Sequence, residues 1–178
     1  MKSKNLIIGL TLILGIFLTS CSTLTPAETK AKNEKKLLES ILNSQVYRSR
    51  QHFLRIDLPE TYQYLIDLGI TEDYTMGFAK HYGFRAGTCT PFYFYDLDFE
   101  IQTPLKIFPF AVMDGTLKDY LSLTTKKSFE TIEKLVEEVK KVDGTFITIF
   151  HNESLSGTGR WINWDKKFEE FLAGIGKN

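Results

Sequence analysis

The chain has 178 residues, 43% of them hydrophobic and 25% charged, with 22 basic side chains against 22 acidic ones. No Arg/Lys stripe runs along it, which argues against a nucleic-acid partner, and two cysteines cannot build a disulfide framework. The length fits one domain.

Residues 1–4, Met-Lys-Ser-Lys, are a short basic start, and residues 6–17 form an apolar run with two glycines, closed by Leu18, Thr19, Ser20 and Cys21. This is the n-region, h-region and small-residue cleavage site of a secretory signal. The run is shorter than the roughly 20 residues that span hydrocarbon comfortably. Leu-Thr-Ser-Cys resembles the lipobox of bacterial lipoproteins, in which the signal is cut before the cysteine and the thiol is lipidated. The resemblance implies lipidation at Cys21, a cell-envelope location and attachment to the membrane through the lipid anchor. Residues 1–20 then play no part in the fold. They carry two lysines and no acid, so 20 basic and 22 acidic residues remain, a net charge of −2, and Cys89 stands alone.

Residues 21–32 read as a Ser/Thr/Ala/Lys tether with one proline. A domain over 33–178 follows. Residues 35–43 have helical spacing, with Leu37, Leu38, Ile41 and Leu42 on one stripe. Residues 46–54 read as a strand carrying polar residues. Pro59 suits the start of a helix that buries Tyr62, Leu65 and Ile66 and stops at Gly69. "ITEDYTMGFA" reads as a short strand with its exit loop, and "GFRAGTCTPFYFYD" is rich in aromatic and turn residues. "LKIFPFAVMD" is an apolar strand in which Pro109 marks an edge, an end or a bulge. Residues 126–142 carry the strongest helical pattern, with Phe129, Ile132, Leu135, Val136 and Val139 on one face. Asp143 and Gly144 stop it. A strand over 145–150 comes next, and Asp165 caps a last helix through Phe168, Phe171 and Leu172.

Helices alternating with short apolar strands predict an α/β fold with a mainly parallel sheet. In such sheets ligands sit at the carboxyl ends of the strands. His151 ends the strand 145–150, Asp114 closes "FAVMD", and Arg85 follows the "YTMGFA" segment. Each also has a plain reading. A lone histidine at a strand end is commonly structural, Asp114-Gly115 is a common turn, and Arg85 can simply ion-pair at the surface. Tyr93, Phe94 and Tyr95 are either core or a sugar-stacking platform, and Trp161 and Trp164 divide the same way. Cys89 has no nearby histidine in sequence to activate it. The three histidines lie far apart, with no pair at i, i+4, so spacing gives no metal site.

Taken together, "SRQHFLRIDLPETYQYLIDLGITEDYTMGFAKHYGFRAGTCTPFYFYDLDFE", "TPLKIFPFAVMDGTL" and "GTFITIFHNESLS…GRW" resemble the C-terminal half of polysaccharide deacetylase-like proteins of Bacteroidetes, within the NodB-homology superfamily. The resemblance covers roughly residues 32–172 and rests most on "GFRAGT" and "FHNE". It implies a partial (β/α) barrel, and in complete members a divalent metal, zinc, that serves removal of acetyl groups from sugars. It also implies catalytic roles for three residues. Arg85, in "FRAG", matches the arginine that orients the catalytic aspartate. Asp114, in "VMDGT", matches the partner of the catalytic histidine, although the usual tryptophan is missing. His151, in Ile-Phe-His, matches the general acid of Leu-x-His. Tyr93 and Trp161 are the candidate substrate-binding residues.

The T-F-D-D string that supplies the base and a metal-binding aspartate, and the His-x-x-x-His string that supplies two metal ligands, do not occur in this chain. No metal or other cofactor is therefore expected for this chain alone. The expected function is that of an envelope lipoprotein whose truncated deacetylase-like domain, serving carbohydrate metabolism, is inactive by itself. Two alternatives stand beside it. One is half of a split metal-dependent deacetylase, completed by a partner chain that supplies the missing half barrel. The other is a non-catalytic lipoprotein that binds carbohydrate or protein.

Overall fold

The computed structural model describes residues 27–175. The expected signal segment and Cys21 lie outside them. The chain divides into two compact units, one built from residues 27–75 and Phe92–Phe108, the other from Met76–Pro91 and residues 109–175.

The first unit holds helices α1 (Ala27–Leu42) and α2 (Glu60–Asp67) and strands β1 (Arg48–Ser49), β2 (Glu72–Asp73), β3 (Phe92–Asp96) and β4 (Ile101–Ile107). The sheet runs in the order β1-β2-β4-β3. Its first three strands are parallel, with Arg48 opposite Glu72 and Asp73 opposite Ile107, and β3 returns antiparallel on β4. Tyr62 and Leu65 of α2 are buried, as the helical spacing predicts, and the Tyr62 ring meets Phe94 of β3 edge to face at 5.0 Å. Gly69 ends the α2 segment with φ +74°, a conformation that costs glycine little.

α1 begins at Ala27, inside the segment that composition assigns to a tether. Its Lys and Glu residues fall four apart, and Lys30–Glu34 and Lys35–Glu39 pair along the helix. The strand expected over 46–54 shrinks to two residues. A helical turn over His52–Leu54 replaces its second half, with Phe53 and Leu54 at positive φ.

The second unit holds strands β5 (Val112–Met113) and β6 (Thr148–Ile149), which pair in parallel, helices α3 (Thr125–Lys141) and α4 (Trp164–Ile175), and a π-type turn over Thr116–Tyr120. The Thr124 hydroxyl accepts from the Lys127 N–H and caps α3. α3 then buries Phe129, Ile132, Val136 and Val139 against Val112, Phe146, Trp161, Trp164, Phe168 and Phe171.

"LKIFPFAVMD", read as one strand, is two. β4 stops at Ile107 and β5 starts at Val112, with Pro109 between them. Proline has no N–H for the ladder, so the break falls there. The architecture is thus α/β with mostly parallel pairing, and its strands form a sheet of four and a sheet of two without a closed barrel among the described residues.

Candidate active site

The site forms where β5 and β6 end together. Parallel pairing sets Val112 beside Thr148 and Met113 beside Ile149, so the residues leaving both strands emerge on the same side. Asp114 is the first residue after β5. It is fully buried, and His151 is two residues beyond β6 with its side chain about half exposed.

Asp114 holds His151 at two points. Its Oδ1 lies 2.6 Å from His151 Nδ1, and its Oδ2 accepts the His151 backbone N–H at 2.6 Å. Oδ1 also accepts the Gly115 N–H at 2.6 Å. The ring contact and the backbone contact fix both the orientation of the imidazole and the loop that carries it. Burial pushes the Asp114 carboxyl up. The bonds from the His151 ring, the Ser154 hydroxyl and the His151 backbone outweigh that push and hold it below its ordinary value. An ionised Asp114 accepts only, so the proton between the two side chains sits on Nδ1. That leaves Nε2 of the neutral ring with a lone pair, and makes it a proton donor once the ring is charged.

The turn after the histidine is tied back on itself. Ser154, fully buried, directs both its backbone N–H (3.0 Å) and its hydroxyl (2.7 Å) to the His151 carbonyl. Further on, Arg160 Nη1 donates to Asp119 Oδ1 at 2.5 Å, its Nε lies 3.4 Å from Glu153 Oε1, and its guanidinium lies 4.7 Å from the Trp161 ring centroid. These charged groups are largely exposed and contribute little each.

The structure brings together two of the five candidate residues, Asp114 and His151. Arg85 is exposed in a loop that turns at Gly87 (φ +71°), and the ion partner of Asp114 is His151, not Arg85. Trp161 corrects the expectation of a sugar-binding ring. It is 3% exposed in the core, packed edge to face on Trp164 at 4.8 Å, where no ligand can stack on it. Its position two residues after Gly159, in a polar stretch, gave no sign of this in the sequence. Tyr93 lies on β3 in the other unit. It is half exposed, with Lys106 Nζ 5.8 Å from its ring centroid. Sequence reasoning passed over Ser154, and the only local signal was a small hydroxyl residue three positions after the histidine, a spacing that suits a turn.

Among the described residues no three His, Cys, Asp or Glu side chains stand close enough to share one ion. The donor set of the described residues therefore does not fit the zinc centre that the deacetylase resemblance implies. Comparison with family models, with curated proteins and with solved structures gave no match.

Proposed function

We propose that this protein is a lipoprotein of the bacterial cell envelope whose globular part is a partial polysaccharide deacetylase-like domain of half-barrel type, and that His151 and Asp114 form the proton-handling side of a site for acetylated carbohydrate. The observation that supports this reading is the Asp114 carboxylate on Nδ1 of a half-exposed His151, at the shared carboxyl end of two parallel strands. In acetyl removal, protonated Nε2 gives its proton to the sugar nitrogen or oxygen as the bond to the acetyl carbon breaks, and Asp114 stabilises the imidazolium beforehand. Attack on the acetyl carbon also needs an activated water and a group that polarises the carbonyl. The strings that supply them in the resembled family do not occur in this sequence. The protein alone accordingly binds an acetylated sugar without turning it over, and a second chain bearing the missing half would complete the enzyme.

The test is titration with N-acetylated and with deacetylated chito-oligosaccharides, followed on the His151 ring resonances, with released acetate measured alongside. The expected result is displacement of the His151 signals by the acetylated series only, with no acetate. Absence of any displacement by either series sinks the reading. Acetate release lost in His151→Ala would instead show a complete enzyme and overturn the inactive-half assignment.

A further inference from the structure

The sheet of the first unit has a packed face and an open one. On the packed face Thr103, Leu105 and Ile107 of β4 are buried, and Tyr62 of α2 meets Phe94 of β3. The residues that alternate with these point the other way. There the strand register sets Arg48, Glu72, Lys106 and Tyr93 in one row across all four strands. Tyr95 follows two residues along β3, opposite Gln102. Tyr93 and Tyr95 are each 50% exposed. A sheet face turned to water is normally polar, so two half-bare rings on it mark a surface that a ligand can cover.

The charges in this row do not cancel. Glu72 Oε2 accepts from Arg48 Nε at 2.7 Å and from the Tyr74 hydroxyl at 2.9 Å. Lys106 stands beside Glu72 in register, but Glu72 pairs with Arg48, and among the described residues Lys106 has no carboxylate partner. Its Nζ lies instead 5.8 Å from the Tyr93 ring centroid and 5.4 Å from that of Phe108, which stacks on Tyr74 at 4.7 Å. An ammonium among rings is attracted to their faces, and its three N–H donors stay available to an incoming anion.

We propose that this face binds an acidic polysaccharide, one whose sugars carry carboxylates as uronic acids do. The C–H face of a pyranose is apolar and lies flat on the ring of Tyr93 or Tyr95, while the Lys106 ammonium donates to the sugar carboxylate. At about 3.3 Å per residue the two tyrosines stand roughly 7 Å apart along β3, so a sugar chain laid along the strand meets both. A neutral glycan leaves Lys106 unused, and an anion without sugar rings leaves the tyrosines unused. An acidic sugar uses both. The surface lies wholly within the first unit, and the inference stands whether or not the dyad handles acetylated sugars.

The experiment is calorimetric titration of the full chain with oligogalacturonate, with its fully methyl-esterified form and with polyglutamate, at low and at physiological salt. The expected result is binding of oligogalacturonate that weakens with salt and is about tenfold weaker for the ester, which has lost the charge. Tyr93→Ala and Lys106→Gln are each expected to weaken binding by about five- to tenfold, and Lys106→Arg to retain it. Tyr95→Ala, at an equally exposed ring, provides a second aromatic variant should Tyr93→Ala not fold. No binding of oligogalacturonate overturns the proposal, as does binding unchanged in folded Lys106→Gln or in the folded tyrosine variants. Polyglutamate bound as tightly as oligogalacturonate overturns it in favour of an acidic protein partner. Self-association that disappears in Tyr93→Ala, measured by sedimentation, overturns it in favour of a second copy of this chain.

Discussion

At the scale of single residues, the Asp114 side chain is the most consequential in the molecule. It is buried and charged, a costly combination unless every oxygen finds donors, and both oxygens do so through His151 and Gly115. Its folded-state carboxyl titrates below its ordinary value. Its contribution to stability is therefore fully present above the unfolded value, about pH 4, and is lost as pH falls through the folded one. Asp114→Asn is expected to lower unfolding stability by about 1–3 kcal/mol at pH 7, with a smaller deficit at pH 3, because the stability that the ionised wild-type carboxyl supplies is lost progressively as the pH falls below about 4. Urea unfolding of both proteins at the two pH values measures it, and a deficit that stays constant contradicts the ionised dyad. Trp161 shows the opposite outcome at this scale. An aromatic residue that could have been a platform became core, because its neighbours Trp164 and Phe168 fall at helical spacing on the face that α4 buries.

Among the elements, β2 raises a separate question. It is two residues long, and its second residue, Asp73, is fully buried between β1 and β4. Desolvation pushes the Asp73 carboxyl up to about 6, against the bonds from the Thr75 hydroxyl (2.7 Å) and backbone N–H (3.0 Å) and from the hydroxyls of Tyr62 and Ser49. The sign here is opposite to that of Asp114. A raised carboxyl stabilises the fold most below the unfolded value, near pH 4, and that stability is lost as pH rises through about 6. Because the folded carboxyl titrates roughly two pH units above the unfolded one, the loss expected between pH 4 and pH 7 is about 2 kcal/mol. Asp73→Asn stays neutral at both pH values and keeps an acceptor for the hydroxyls, so the variant should lack this loss. Denaturation at pH 4 and pH 7 decides it, and equal pH dependence in the two proteins would show that Asp73 titrates normally. The other elements owe their limits to local chemistry. Pro109 separates β4 from β5, and the Thr124 cap starts α3 one residue from where its apolar face predicts.

On the scale of the whole molecule, attachment is the property with the most reach. No helix among the described residues is long and apolar enough to cross a membrane, and the proposed attachment rests on Leu-Thr-Ser-Cys, whose resemblance to a lipobox would place the lipid on Cys21. Stable anchoring takes two or more acyl chains, so Cys21→Ala is expected to move the protein from the membrane to the soluble fraction. Fractionation of cells expressing each form, with labelled fatty acid to follow lipidation, measures it. Membrane association unchanged in the variant would mean that the anchor is not at Cys21.

The sequence by itself determined the pattern of elements wherever one local rule was unopposed. The stripe of Phe129, Ile132, Val136 and Val139 needs a single buried face, and α3 lies within one residue of the predicted bounds. The α2 helix after Pro59 and the alternation that produces parallel pairing were legible for the same reason. So was the placing of Asp114 and His151 at strand ends, because parallel strands end on the same side and the residues that follow them emerge together. What the sequence left open depends on distant neighbours. Two-residue strands β1 and β6 carry too few side chains to show a period, and their limits are set by the strands beside them. Whether Trp161 faced a ligand or the core depended on how α3 and α4 pack, and whether Arg85 met Asp114 depended on a loop path that its glycines do not fix. The bonds of Asp114 to His151 join residues 37 positions apart in the chain, and only the tertiary structure brings them within reach.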